Sequence, residues 1–177
     1  LSADARYLVG CMSYSYPQDV LYFLYDRENE TFDALVFDYD AANKRYSAKN
    51  DSINSLADIC ISSNGKWVGG LLFTIDDVYT PFRYNTETKQ IDYYLAPDDL
   101  DKGCVTVDNE GTLYASTPAM SPSRSLYIRK GAYWYAFDEL LKQNYGIDYY
   151  TSTGYDATGL VIGVADNCRE MVGMAYI

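Results

Sequence analysis

Aromatic side chains are the residues of this chain best suited to recognising a ligand. The chain has 177 residues, of which 20 are Tyr and 2 are Trp. Tyr133, Trp134 and Tyr135 follow one another directly, and Tyr149 and Tyr150 form a second cluster. Rigid rings stack on sugar faces and anchor protein interfaces at low entropic cost. These five residues are the predicted ligand-binding site, and the competing interpretation is that their rings fill layers between sheets.

Catalytic chemistry is less well supported than binding. The sequence contains no His, which excludes Ser-His-Asp and Cys-His nucleophiles and every His metal site. With 25 Asp and Glu residues, some pair will meet the ~5–10 Å separation used in glycoside hydrolysis by chance. No nucleophile elbow, P-loop or dinucleotide fingerprint is present. We therefore predict no catalytic residue and favour a non-enzymatic function.

Metal and cofactor sites are not predicted either. Two acidic clusters offer oxygen ligands. The first is Asp38, Asp40 and Asn43, and the second is Asp98, Asp99 and Asp101. The first lacks the spacing of a calcium loop, and both are interpreted as solvated charge. The four cysteines, Cys11, Cys60, Cys104 and Cys168, form no C-x-x-C pair. Buried thiols are favoured over two disulfides, and no cofactor is expected.

Charge and hydropathy limit the partners. A net charge of −11 disfavours nucleic acid and anionic membranes, because both repel an acidic surface. No stretch approaches the ~18 apolar residues of a membrane-spanning helix, so no membrane span is predicted. The apolar content of 48% is typical of a folded domain, and residues 1–177 are interpreted as a single one.

Four segments of the chain align with one another without a gap. They run from Leu1 to Gly10, Ile61 to Gly70, Val107 to Ser116 and Val164 to Gly173. Each reads as a strand, a polar turn and a second strand, with Ala5, Gly65, Gly111 and Cys168 in the fifth position. Gly65 and Gly111 are predicted to have positive φ in their turns.

The spacing of these segments predicts a β-propeller-like array. An aromatic strand and a polar turn follow each of the first three hairpins, which gives about four strands per unit. The predicted repeats cover approximately residues 1–56, 57–101, 102–158 and 159–177. Because common propellers have four to eight blades, the array is expected to be incomplete in this chain. Further sequence or a second copy of the chain would complete it.

Two interruptions of the strand pattern are expected. Phe137, Leu140 and Leu141 have helical spacing before Gly146, which predicts a short helix near 136–145. The segment from about Val36 to Leu56 is interpreted as an extra hairpin or a long loop.

The hairpins resemble the HAF-type and TolB-type propeller repeats of bacterial extracytoplasmic proteins. The matching residues are Ser62-Ser63-Asn64-Gly65, Val68-Gly69-Gly70 and Phe82-Arg83-Tyr84, and again Asp166-Asn167-Cys168 with Val172-Gly173. The resemblance implies an extracytoplasmic location, in the periplasm, on the cell surface or secreted.

These observations favour a non-catalytic propeller-type binding or scaffold domain with a glycan or protein ligand. A carbohydrate-active enzyme or its accessory module is the first alternative. A structural subunit that forms a homo-oligomer or belongs to a longer chain is the second.

Overall fold

The computed structural model describes residues 1–15, 19–35, 39–40, 45–46, 53–74, 79–96, 104–116, 126–147, 158–164 and 171–176. Within them the strands are β1 (Tyr7–Ser15), β2 (Asp19–Asp26), β3 (Thr31–Leu35), β4 (Tyr39–Asp40), β5 (Arg45–Tyr46), β6 (Ile53–Ile61), β7 (Trp67–Thr74), β8 (Tyr79–Asn85), β9 (Ile91–Tyr93), β10 (Cys104–Val107), β11 (Leu113–Ser116), β12 (Leu126–Lys130), β13 (Tyr133–Ala136), β14 (Thr158–Val164) and β15 (Met171–Tyr176). The helix is α1 (Phe137–Tyr145).

The described strands form antiparallel sheets whose strands follow one another in chain order. The first sheet is β1-β2-β3, the second β6-β7-β8-β9, the third β10-β11-β12-β13 and the fourth β14-β15, while β4 and β5 form a small separate hairpin. The prediction of an all-β fold with one short helix is confirmed. The helix ends at Gly146, whose φ of 66° lets its N–H reach the carbonyl oxygen of Lys142 at 3.1 Å. In the described part of the chain, α1 is too short to cross a membrane.

The first and second sheets pack face to face through an apolar core, which we call the first seam. Strands alternate their side chains between two faces, so β7 directs Val68 and Leu72 towards the first sheet while Leu71 belongs to a different core. The buried residues of the first seam are Tyr22, Leu24, Leu35, Val68, Leu72, Phe82 and Tyr84.

The opposite face of the second sheet packs against the third sheet and forms the second seam. Its buried residues are Leu71, Val105, Val107, Leu113 and Ala115. Gly69 lies at the closest approach, because a Cβ atom placed there would lie 2.8 Å from Cβ of Val107. Beyond the third sheet, β14 contacts β10 and β11. The second sheet is therefore buried on both faces.

The turns of the first two hairpins use the same hydrogen bonds. Ser2 Oγ accepts from Tyr7 N at 2.9 Å and donates to Asp4 Oδ1 at 2.6 Å. Ser62 Oγ accepts from Trp67 N at 3.0 Å and donates to Asn64 Oδ1 at 2.8 Å. Such side-chain bonds fix a turn by replacing the missing backbone partners. The positive φ predicted for the turns holds at Gly65 and Gly111, and Ala5 adopts the same conformation with φ of 56°.

The third turn is one residue shorter than the gap-free alignment assumes. Ile61 pairs with Val68 across the second turn, whereas Val107 pairs with Leu113 across the third. Asp108 Oδ1 accepts from Thr112 N at 2.9 Å, as Ser62 Oγ does from Trp67 N. The structural counterpart of Tyr7 and Trp67 is therefore Thr112, and the alignment that placed Leu113 there is wrong.

Candidate functional site

The predicted aromatic residues do not share one face of the third sheet. Strand β13 alternates, so Tyr133 and Tyr135 lie on one face, 70% and 41% exposed, and Trp134 lies on the other. Trp134 Nε1 donates to the carbonyl oxygen of Leu95 at 2.7 Å, which ties β13 to the segment after β9. Tyr149 and Tyr150 lie outside the described residues. The ligand-binding role of all five residues stays a prediction.

Strand register shows what shares a face with Tyr133 and Tyr135. Lys130 pairs with Tyr133, Ile128 pairs with Tyr135, and Tyr114 pairs with Ile128. Directly paired residues lie side by side on the same face of a sheet. We call this surface the outer face of the third sheet, defined by Thr112, Tyr114, Ile128, Lys130, Tyr133 and Tyr135.

Helix α1 covers part of the outer face and leaves a cavity beneath it. The helix follows β13 directly and packs against β12 and β13. The cavity has a volume of about 340 Å³ and is lined by Thr112, Tyr114, Ile128, Lys130, Phe137, Leu140, Leu141, Asn144 and Tyr145. Pockets that bind small molecules start at roughly 300 Å³, so the cavity is large enough for one small ligand.

The lining combines an apolar body with few polar groups. Phe137, Leu140 and Leu141 supply the helix side, at the helical spacing already visible in the sequence. Tyr114 is buried, and its hydroxyl is engaged, donating to Asp108 Oδ2 at 3.0 Å. Among the described residues no carboxylate forms an ion pair with Lys130. Such a site suits a mostly apolar ligand that carries one polar or anionic group.

The cavity on the outer face borders Thr112, and the residues that correspond to Thr112 in the first and second sheets are rings that close the two seams. In the first seam the ring of Tyr7 covers Gly65 so closely that a Cβ atom at that glycine would collide with it. In the second seam Trp67 covers Gly111, and a Cβ atom there would lie 2.7 Å from the indole. Thr112 is the counterpart of these two rings on the outer face, and its side chain fills much less space.

A network of charged and aromatic groups reinforces the second seam. Arg83 donates from Nε to Asp92 Oδ2 at 3.0 Å and from Nη1 to the carbonyl oxygen of Gly111 at 2.9 Å. Its guanidinium lies 4.8 Å from the centre of the Trp67 ring. Bonds from a guanidinium to a carboxylate and a carbonyl, with a ring stacked on it, fix the spacing of two elements. This network ties the second sheet to the turn of the third.

Tyr94 completes the network. Its ring stacks under the guanidinium of Arg129 at 3.5 Å, and its hydroxyl donates to Asp92 Oδ2 at 3.2 Å. Burial raises the pKa of Tyr94 to about 12, and nearby Arg83 partly opposes that increase. Burial also lowers the pKa of Arg129. The phenol stays neutral at physiological pH, so the cluster acts as a structural contact.

Two carboxylates with lowered pKa values, Asp26 and Asp4, accept hydrogen bonds that stabilise turns. Arg6 donates to both carboxylate oxygens of Asp26, at 3.1 Å from Nε to Oδ1 and 2.9 Å from Nη2 to Oδ2. This pair, followed by bonds from Asn29 and Glu28, holds the pKa of Asp26 well below its usual range. A hydrogen bond from Ser2, followed by one from Arg6 N, lowers the pKa of Asp4.

The remaining predicted ligand groups are only partly described. The side chains of both acidic clusters lie outside the described residues. Among the described residues, no group of three His, Cys, Asp or Glu side chains is arranged to hold a metal ion. Cys60 is present as a thiol beside the second seam, with Sγ 3.4 Å from the carbonyl oxygen of Gly69.

Sequence reasoning missed most of the cavity. Thr112, Ile128 and Lys130 have no unusual spacing, and the shorter third turn hid the correspondence of Thr112 with Trp67. The residue that could have revealed this correspondence is Asp108, because it takes the position that Ser62 has in the second turn. Comparisons with protein-family models, with curated proteins and with solved structures find no significant match.

Proposed function

We propose that this chain is a non-catalytic, propeller-type binding or scaffold domain whose ligand lies on the outer face of the third sheet. The observation that carries the proposal is the exposed pair Tyr133 and Tyr135, which share that face with a cavity of about 340 Å³. Exposed rings beside a concave apolar site are typical of binding surfaces.

The stacking of the sheets supports the propeller-type arrangement. Consecutive sheets are antiparallel, follow chain order and pack face to face. Their turns lie side by side, because Ala3 N donates to the carbonyl oxygen of Ser63 at 2.8 Å and Asn64 N donates to Asn109 Oδ1 at 2.8 Å. In this proposal the sheets are blades of a repeat, as in the HAF-type and TolB-type proteins that the sequence resembles. The same resemblance supports an extracytoplasmic location.

The ligand in this proposal is a glycan. The experiment distinguishes a glycan ligand from a protein ligand. The wild-type chain is titrated by calorimetry with cellohexaose, chitohexaose and maltohexaose, while a displayed heptapeptide library is selected on it. Tyr133→Ala/Tyr135→Ala should weaken binding at least about tenfold, because each stacked ring supplies roughly 1 kcal/mol or more. Phe32→Ala is the matched control, since Phe32 is a 50% exposed ring on the first sheet.

The result of each arm bears on the proposal. Hexasaccharide binding that depends on both tyrosines supports it. Selection of peptides whose binding depends on the same tyrosines would replace the glycan by a protein. Absence of binding in both arms, or equal loss in Phe32→Ala, would overturn the proposed site.

A structural assembly function is a second candidate, and the first sheet favours it. Leu8 and Phe32 are 43% and 50% exposed on the face turned away from the second sheet, and Phe23 stacks on Phe32 with ring centres 5.1 Å apart. Apolar sheet faces of this kind are covered in assembled proteins. Light scattering should give a mass above 20.0 kDa if this face joins copies, and Phe32→Lys should restore the single-chain mass.

A further inference from the structure

We propose that the cavity beneath α1 binds a free aromatic carboxylate, whose ring occupies the place that Tyr7 and Trp67 hold in the two seams. The inference rests on the proposed function only in using the same face of the third sheet. It goes beyond that function by naming the class of small molecule that the cavity takes.

The third sheet has a small side chain, Thr112, where the first two sheets have an aromatic ring. Tyr7 and Trp67 each follow a turn whose serine hydroxyl accepts from their backbone N–H. Thr112 has the same bond to Asp108 but only a small side chain in the equivalent place. A planar ring already fits this position twice in the molecule, against the turn glycines Gly65 and Gly111. Among the described residues, no side chain that follows the third turn supplies a ring in this place, so the cavity offers room for one from a ligand.

The size and the polarity of the cavity both suit an aromatic molecule. A volume of about 340 Å³ accommodates a one- or two-ring molecule. Ile128, Phe137, Leu140 and Leu141 offer apolar contact, and the flat ring of Tyr114 lines the same space. Aromatic pairs are stabilised beyond the effect of their buried area, so a ring is favoured over an aliphatic ligand of similar volume.

The positive charge at the cavity also favours an anionic ligand. Lys130 lines the cavity and forms no ion pair with a carboxylate among the described residues. The net charge of the whole chain is −11, so the positive charge of Lys130 at the edge of the cavity contrasts with the overall negative charge of the protein. Charge-assisted hydrogen bonds are about twice as strong as neutral ones, which favours an anionic substituent on the ring.

The experiment titrates the full chain by calorimetry with three small-molecule probes. Indole-3-acetate carries both the ring and the carboxylate, indole-3-ethanol keeps only the ring, and cyclohexylacetate keeps only the carboxylate. Indole-3-acetate should bind most tightly, with the other two weaker by about three- to tenfold each, as expected for loss of one ionic or aromatic contact.

Variants locate the binding. Thr112→Trp should fill the cavity as Trp67 fills the second seam and should abolish binding of indole-3-acetate. Thr88→Trp places the same residue in an exposed turn of the second sheet and should leave binding unchanged. Lys130→Glu alters an exposed side chain, should fold normally and should remove the preference for indole-3-acetate over indole-3-ethanol.

Three results would overturn the inference: no binding of indole-3-acetate at millimolar concentration, undiminished binding in a folded Thr112→Trp, or an unchanged preference in Lys130→Glu. If any of these results occurs while the wild-type chain binds hexasaccharides and Tyr133→Ala/Tyr135→Ala does not, the proposed function still holds and only the further inference fails. Conversely, indole-3-acetate binding blocked by Thr112→Trp, with hexasaccharides and peptides failing to bind, would refute the proposed function alone.

Discussion

The inner and outer faces of the third sheet are built from the same strands and differ in how they are covered. On the inner face, Leu113 packs against the second sheet, and Trp67 covers Gly111. On the outer face, Thr112 takes the place of a covering ring, and a cavity remains beneath α1. The shorter third turn and the small side chain of Thr112 therefore border a cavity on the outer face, whereas the inner face is closed by a ring.

The largest predicted effect contrasts the two faces directly. Leu113→Ala removes a 1% exposed side chain from the second seam and should cost about 2–5 kcal/mol in the free energy of unfolding, because the closed seam cannot collapse around the gap. Ile128→Ala, beside the cavity, should cost only about 1–2 kcal/mol, since its side chain already borders open space and loses fewer contacts. Urea denaturation measures both. Equal losses would contradict the difference between the faces.

The ring over Gly65 is tested by two glycines with positive φ. Gly65→Ala should cost roughly 2–4 kcal/mol, from left-handed backbone strain and from collision with Tyr7. Gly131→Ala should cost only about 1 kcal/mol, because its φ is 61° but nothing lies near its Cβ position. Thermal unfolding of both variants gives the comparison. A similar loss at both positions would mean that the ring does not close the first seam.

The β2–β3 turn of the first sheet and the β8–β9 turn of the second sheet differ in charge, which predicts a difference in acid stability. The Asp26 side chain accepts hydrogen bonds from Glu28 N and Asn29 N. The Asn85 side chain accepts the same two bonds from Glu87 N and Thr88 N. Of these two side chains, only the Asp26 carboxylate is charged. The pKa of Asp26 is lowered by folding, chiefly by Arg6. Its stabilising contribution is therefore complete above the unfolded pKa of about 4 and is lost as pH falls towards the folded value.

The variant Asp26→Asn should keep the turn and flatten the loss of stability between pH 5 and pH 2, measured by urea denaturation at each pH. Asp33→Asn, which removes an exposed carboxylate paired with Lys89, is the control and should keep the wild-type slope. An unchanged acid slope in Asp26→Asn would show that the Arg6 pair is not what distinguishes the β2–β3 turn from the β8–β9 turn.

The smallest predicted effect concerns the network in the second seam. Burial raises the pKa of Tyr94 to about 12, above the unfolded value of about 10. Stability is then complete below pH 10 and falls as pH rises towards 12, because the unfolded chain releases its proton first. Tyr94→Phe should show a shallower alkaline loss in urea denaturation. The same slope as wild type would place Tyr94 outside the closed seam.

The sequence predicted the regular parts of the molecule well. Four repeated strand–turn–strand segments predicted the all-β class, the helical spacing of Phe137, Leu140 and Leu141 predicted α1, and the turn glycines predicted positive φ at Gly65 and Gly111. These features are encoded locally, in periods of 2 and 3.6 residues and in the conformational freedom of glycine.

The candidate site depended on contacts that no local pattern encodes. Strand alternation separates Trp134 from Tyr133 and Tyr135. Which of these residues faces the second sheet depends on contacts with residues far away in the sequence, such as the hydrogen bond from Trp134 to Leu95. The third turn is shorter because the Asp108 carboxylate binds both Glu110 N and Thr112 N. A gap-free alignment assigns every copy the same turn length and therefore could not reveal the cavity.

The most direct test of a ligand site on the outer face of the third sheet is a map of backbone amide shifts. The ¹⁵N-labelled chain is titrated with the three hexasaccharides and separately with indole-3-acetate. The account predicts that the perturbed amides cluster in β11, β12, β13 and α1 and at Thr112, which all border the cavity, while those in the turn around Gly65 stay unchanged. Perturbations concentrated in the two seams or on the first sheet, or none with any probe, would contradict it.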